Sequence, residues 1–133
     1  MHGGRWNRPG IPVVYTSSSL ALAALELFVH LHPATAPSDL VAIGADIPAS
    51  LAVSEIRASQ LGRGWTHHPA PENLADLGTR WAQERRTAVL VVPSAIIPRE
   101  TNYLLNPLHP AFKTIRVGRP ERFVFDRRLT PGA

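Results

Sequence analysis

The sequence predicts an α+β fold, a single compact domain with a mixed central sheet spanning residues 1–133. A length of 133 residues suits one domain with its own core. Hydrophobic residues make up 44% of the chain and charged residues 18%, which supports a packed interior and argues against disorder. The 13 prolines favour short elements joined by stiff loops over a long helical bundle.

The first third of the chain is predicted to form a strand, a helix and a second strand. Residues 12–16 (PVVYT) are β-branched, as is typical of strands. Residues 20–32 have helical spacing, follow cap-forming serines and are expected to end at Pro33. Because this helix is apolar on nearly all sides, we expect it to be buried, with Glu26 on its one polar strip. Residues 40–48 (LVAIGADIP) are predicted to be the next strand.

The second half contains the clearest strand and an amphipathic helix. Residues 87–94 (TAVLVVPS) are apolar nearly throughout, which predicts a central strand. Residues 73–85 place Leu74, Leu77 and Trp81 on one helical face. The remaining segments are interpreted as a weak strand or turn (52–59), a loop (62–73), a proline-broken loop with one or two turns (95–112), and two closing strands or a hairpin (113–118 and 121–126).

Charge and residue usage disfavour several function classes. The net charge of +4 arises in the last 35 residues, which lack the interleaved aromatic residues of a nucleic-acid stacking platform, so direct nucleic-acid binding is not expected. There is no cysteine, which excludes a thiolate nucleophile and fits a cytoplasmic location. No apolar stretch reaches membrane-spanning length. The histidines at 30, 32, 67 and 68 lack supporting ligands, so no metal site is expected.

Two charged residues near the start are candidates for a ligand site. Gly3 and Gly4 would let the backbone approach a ligand, and the Arg5 guanidinium can bind a phosphate or carboxylate through two nitrogens. The alternative is a surface arginine in a turn. Glu26 is either a carboxylate paired with His30 one helical turn away, or a carboxylate held in a cleft.

Polar residues around the predicted strands are further candidates. Tyr15 closes the first strand, and Ser94 ends the central strand, where ligands often bind. Asn102 and Asn106 lie four residues apart in the proline-broken loop. Each has a structural alternative: a core tyrosine, a turn-forming serine, or asparagines that order the loop through backbone hydrogen bonds.

Three stretches, taken in order, resemble the RES domain family. They are GGRWNRPGIPVVYTSSSLALAALELFVHL, VLVVPSAIIPRETNYLLNPLHPAFKTIRV and RFVFDRRL. The arginine, glutamate and serine that give the family its name fall on Arg5, Glu26 and Ser94. The family's tyrosine falls on Tyr15, and its asparagine-rich loop matches Asn102 and Asn106. Since members usually begin with a further strand ahead of GGRWN, we expect either that the true start lies upstream or that the chain is a shortened member.

The resemblance implies an ADP-ribosyltransferase-like fold, with NAD⁺ as substrate and no further cofactor. RES proteins are toxins of bacterial toxin–antitoxin modules, which split NAD⁺ by hydrolysis or phosphorolysis or transfer ADP-ribose to a protein. The implied partner is an Xre-type antitoxin that covers the active site. A homo-oligomer of the toxin within the toxin–antitoxin complex is consistent with the resemblance. An inactive remnant that only binds the antitoxin is an alternative of a different class.

With NAD⁺ as substrate, each candidate residue has an expected role. Arg5 would bind the pyrophosphate, and Tyr15, with Trp6 as a second candidate, would face the flat nicotinamide ring. Glu26 would stabilise the positive charge that develops on the ribose. Nicotinamide departs as a neutral molecule, so no general acid is needed. The carboxamide or the ribose would be bonded by Ser94, Asn102 or Asn106.

Overall fold

The computed structural model describes residues 2–32 and 37–131. Within these residues, no helix is long and apolar enough to cross a membrane. The helices are α1 (Leu20–Phe28) and α2 (Glu72–Glu84). The strands are β1 (Val14–Ser17), β2 (Val41–Ala42), β3 (Ala45–Asp46), β4 (Val53–Glu55), β5 (Val89–Pro93), β6 (Thr101–Leu105), β7 (Arg116–Val117) and β8 (Glu121–Arg122).

A four-stranded mixed sheet, in the order β1-β6-β5-β4, forms the centre of the molecule. Strand β4 runs parallel to β5, and the other neighbouring strands are antiparallel. The predicted α+β class with a mixed central sheet is therefore confirmed. Every residue of β5 is buried, and β5 lies inside the sheet, as its apolar sequence predicts.

The prediction of residues 95–112 as a loop is wrong where the chain forms β6. This strand pairs with β5 over five residues and with β1 over four. Its sequence, TNYLL, contains strand-favouring residues. The segment is only five residues long, however, and the nearby Pro98 and Pro107 are typical of loops, so the strand was not recognised. Pairing with β5 on one edge and β1 on the other stabilises a strand that the local sequence pattern did not predict.

Two small ladders lie beside the central sheet. Strand β2 pairs with β8, and β3 pairs with β7, both antiparallel. The predicted strand at 40–48 is therefore two short strands, separated at Ile43 and Gly44. The hairpin alternative for the last segments is wrong, because β7 and β8 each pair with the earlier segment and not with each other.

The alternation of β5 divides the apolar interior into two layers. Leu90 and Val92 face α2, where they pack with Leu74 and Trp81. Val89 and Val91 face the opposite side, where they pack with Leu105, Ile115 and Phe112. Burying one such side chain contributes about 1.5–3 kcal/mol. The α2 layer also includes the Trp6 ring, so the N-terminal turn is anchored in the core.

Replacing Gly78 by alanine is expected to destabilise this anchor. A Cβ at Gly78 would lie 1.8 Å from the Trp6 carbonyl oxygen, which is backbone and cannot yield without moving the turn. We expect the free energy of unfolding to fall by about 1–3 kcal/mol, measured by urea denaturation. Gly62→Ala is the control, since a Cβ there meets nothing within 4 Å. Equal stability of the two variants would contradict the close packing.

Helix α1 begins as predicted but is shorter and less buried than expected. The Ser19 side chain accepts a hydrogen bond from the Leu22 N–H at 3.1 Å, and the helix ends at Phe28. Pro33, the expected end, lies outside the described residues. Leu22 is buried, whereas Leu20 is 57% exposed, so the prediction of burial on all sides is wrong. The helix packs on one side only, and its opposite face lines a groove of about 1090 Å³.

Candidate active site

Helix α1 brings Glu26 against the ends of β5 and β6. Ser94, which directly follows β5, donates its hydroxyl proton to Glu26 Oε1 at 2.7 Å. Asn102, the second residue of β6, donates from Nδ2 to the same oxygen at 2.9 Å. These partners are 68 and 76 residues away from Glu26 in sequence, so the cluster exists only because α1 packs against this sheet.

The backbone determines the direction of the Ser94 hydrogen bond. Ser94 is fully buried, and its Oγ accepts the N–H groups of Ile96 and Ile97 at 3.1 Å each. Because both amides occupy the lone pairs of the hydroxyl, its single proton is directed at the Glu26 carboxylate. Ser94 therefore acts as a fixed donor to Glu26, and its hydroxyl is not exposed to solvent.

The Glu26–His30 pairing left open by the sequence does not form. Within residues 2–32 and 37–131, the Glu26 carboxylate takes part in no ion pair. The His30 ring lies instead against His68, with ring centroids 6.4 Å apart. Among the described residues, the carboxylate is bound only by neutral donors, so no cation in direct contact compensates its negative charge.

Arg5 is held in place by the loop that precedes α2. Its Nη1 donates to the Trp65 carbonyl at 2.7 Å and its Nη2 to the His67 carbonyl at 3.1 Å. Burial lowers the pKa of the guanidinium from its usual value, and electrostatic interactions with Glu26 and, less strongly, with Tyr15 oppose that shift. Arg5 and Glu26 are therefore close enough for their charges to interact. The group stays protonated, since arginine does not titrate in proteins.

The Tyr15 hydroxyl anchors the N-terminal turn. It accepts a hydrogen bond from the Trp6 N–H at 3.1 Å and donates to Asn7 Oδ1. Burial raises the pKa of Tyr15, and the Trp6 N–H and the Arg5 charge oppose that shift. Gly4 is required here, because a Cβ would lie 2.6 Å from the Tyr15 hydroxyl. The hydroxyl is fully engaged in structure, while the residue remains 44% exposed.

Tyr15→Phe is expected to loosen this turn. Removal of the hydroxyl leaves the Trp6 N–H without its acceptor, which should lower the free energy of unfolding by about 1–3 kcal/mol. Urea denaturation measures the loss. Tyr103→Phe, on the neighbouring strand, is the control because the described residues offer its hydroxyl no hydrogen bond. If both variants unfold at the same urea concentration, the hydroxyl does not anchor the turn.

Two of the predicted site residues lie elsewhere. Trp6 is 3% exposed and packs in the α2 layer of the core, so its ring offers no surface to a ligand. Asn106 is fully buried, donates to the Ala82 carbonyl at 2.9 Å and accepts the Leu108 N–H at 3.0 Å. These contacts make Asn106 a brace between α2 and the chain after β6.

Sequence reasoning missed Asn7 and the loop at 62–68. Asn7 is 5% exposed; its Oδ1 accepts the Gly4 N–H at 2.9 Å and its Nδ2 donates to the Ile11 carbonyl at 2.8 Å. Asn7 lies three residues after Gly4, and asparagine and glycine within one short segment are typical of a turn, so this residue could have been found. The loop binds Arg5 through its backbone carbonyls, and a contact made by backbone atoms leaves no signal in the residue types. Within the described residues, no group of three or more histidines or carboxylates is arranged to hold a metal ion.

Comparisons with known proteins find one family and several similar sequences. The sequence profile of the RES domain matches residues 1–126. A Prs ADP-ribosylating toxin of a Sphingobium species is 41% identical over 129 residues, which cover 96% of this chain and 80% of that protein. A Toxin Res of Yersinia enterocolitica is 36% identical over 129 residues, covering 96% and 84%. A Toxin Res of Pseudomonas putida is 37% identical over 128 residues, covering 95% and 85%.

Proposed function

The chain belongs to the RES domain family, and from this premise we propose that it is a toxin that consumes NAD⁺ by breaking the nicotinamide–ribose bond. The observation that carries the proposal is the Glu26 carboxylate, held by Ser94 and Asn102 and within electrostatic reach of Arg5. A fixed anion within electrostatic reach of a fixed cation suits a substrate that has a pyrophosphate and develops positive charge on a sugar.

In the proposed reaction, the bond between ribose C1′ and the nicotinamide nitrogen breaks, and its electron pair leaves with the ring. Nicotinamide is cationic in NAD⁺ and departs neutral, so no proton has to be supplied. The ribose becomes oxocarbenium-like, and the Glu26 carboxylate stabilises its positive charge. Water or phosphate then adds to C1′ and loses a proton to solvent, which yields ADP-ribose or its phosphate.

The other site residues would hold the substrate. Arg5 has five N–H donors and uses one Nη1 and one Nη2 hydrogen for the loop carbonyls, so others remain for the pyrophosphate. The half-exposed Tyr15 ring would face the nicotinamide. Its hydroxyl would take no part, since it is bonded within the N-terminal turn.

Transfer of ADP-ribose to a protein is a second candidate. It is favoured by the name of the Sphingobium relative, an ADP-ribosylating toxin. The same residues would break the same bond, and a protein side chain would replace water as the acceptor. In either case the proposed regulator is an Xre-type antitoxin that covers the active site, and the proposed location is the cytoplasm.

One incubation distinguishes these outcomes. The purified chain is incubated with NAD⁺ that carries radioactive phosphorus in its adenylate half, alone and with a bacterial lysate. Free labelled ADP-ribose or its phosphate supports NAD⁺ consumption, whereas label on a protein band supports transfer. Intact NAD⁺ together with unlabelled protein would contradict both proposals and favour the inactive remnant.

A further inference from the structure

We propose that Asn102 is a positioning residue for Glu26, which fixes the orientation of the carboxylate toward the substrate and does not itself touch NAD⁺. The inference rests on the proposed function, because it concerns the reacting group of the same site. It replaces the role in substrate binding that the sequence suggested for Asn102.

The two hydrogen bonds to Glu26 are unevenly distributed. Ser94 Oγ and Asn102 Nδ2 both donate to Oε1, at 2.7 and 2.9 Å. None of the described residues donates to Oε2. Turning the carboxylate out of this orientation would break both bonds at once, so one oxygen stays on the sheet side and the other keeps its lone pairs for the sugar.

Asn102 is poorly placed to bind a substrate. Its Oδ1 is buried and has no hydrogen-bond partner in the described part of the chain. Its Nδ2 donates to Glu26, and in this orientation of the amide the Oδ1 atom has no donor within reach among the described residues. A buried acceptor without a partner lowers stability, so its presence at this position points to a role in the site and not in the fold.

The backbone around Asn102 is rigid enough for a positioning role. Its strand lies inside the sheet, where Asn102 is opposite Ser17 on one side and Val92 on the other. Ser94 is fixed independently by two backbone amides. Two donors on separately fixed segments therefore define one place for the carboxylate, whereas either donor alone would leave it free to swing.

The test is Asn102→Leu, which keeps the approximate volume and removes both the donor and the unsatisfied acceptor. We expect kcat for NAD⁺ loss to fall about 10- to 100-fold, the usual effect of removing a group that orients a reacting one. KM should stay within about twofold, because substrate contacts remain. The melting temperature should not decrease. Asn73→Leu, at an exposed position on α2, is the control and should leave kcat and KM unchanged.

Three results would overturn the inference. A raised KM with unchanged kcat would make Asn102 a substrate contact. A parallel loss of melting temperature and activity would make it structural, and unchanged kinetics would give it no role. If the unmodified chain leaves NAD⁺ intact, the proposed function fails. Crystal structures of the unmodified chain and of Asn102→Leu still test whether Asn102 positions the Glu26 carboxylate. We expect one Glu26 conformer in the unmodified chain and a displaced or multiple carboxylate in Asn102→Leu, and an unmoved carboxylate would refute it.

Discussion

Glu26→Gln is expected to abolish NAD⁺ consumption while the protein stays folded. The glutamine side chain has the same shape, and its amide oxygen can accept the hydrogen bonds from Ser94 and Asn102. Its amide nitrogen would then occupy the position of Oε2 and present N–H donors to a positively charged ribose. Losing one preorganised charge at the reacting centre typically lowers kcat by about 10²–10³-fold.

The rate is measured by chromatography of NAD⁺ and nicotinamide, together with the melting temperature of each variant. Glu84→Gln, at the exposed end of α2, removes the same charge far from the cluster and is the matched control. It should retain the full rate. A Glu26→Gln protein that keeps more than about a tenth of the unmodified rate would remove Glu26 from the reaction.

Arg5→Ala should produce the largest loss of NAD⁺ affinity. The guanidinium is partly buried and oriented by the Trp65 and His67 carbonyls, so a bound pyrophosphate would meet a preorganised cation. Truncating one partner of such a charge-assisted contact costs about 2–5 kcal/mol, equivalent to roughly 30- to 5000-fold in Kd. Arg5→Lys should recover only part of this, because an ammonium cannot bind two oxygens through parallel N–H bonds.

Calorimetry with NAD⁺ and the Glu26→Gln background measures this affinity without turnover. Arg8→Ala is the control, since Arg8 lies in the same segment and forms an ion pair of 2.7 Å with Asp76 on the surface. The pair is exposed to solvent and screened by it, so its loss should leave the NAD⁺ affinity unchanged. Equal Kd values for the two variants would show that Arg5 does not bind the pyrophosphate.

Local patterns in the sequence were sufficient for much of the fold. The apolar run of β5 predicted a central buried strand, and the spacing of Leu74 and Trp81 predicted α2, because each pattern reflects the element's own periodicity. The burial of α1 was overestimated because a helix sequence shows which of its faces are apolar but not how many of those faces a neighbouring element covers. Strand β6 was missed because five residues between prolines carry too little pattern.

The candidate site divides in a similar way. Residue chemistry and family resemblance singled out Arg5, Glu26 and Ser94, and their roles in NAD⁺ chemistry stay predictions. The sequence by itself determined which groups are able to carry charge or donate a proton. Only the tertiary structure placed Trp6 and Asn106 in the interior, directed Asn102 to Glu26 and gave Arg5 its carbonyl partners. Hydrogen bonds between residues 60 to 76 positions apart depend on how α1, the loop before α2 and the sheet pack together, and no local pattern encodes that packing.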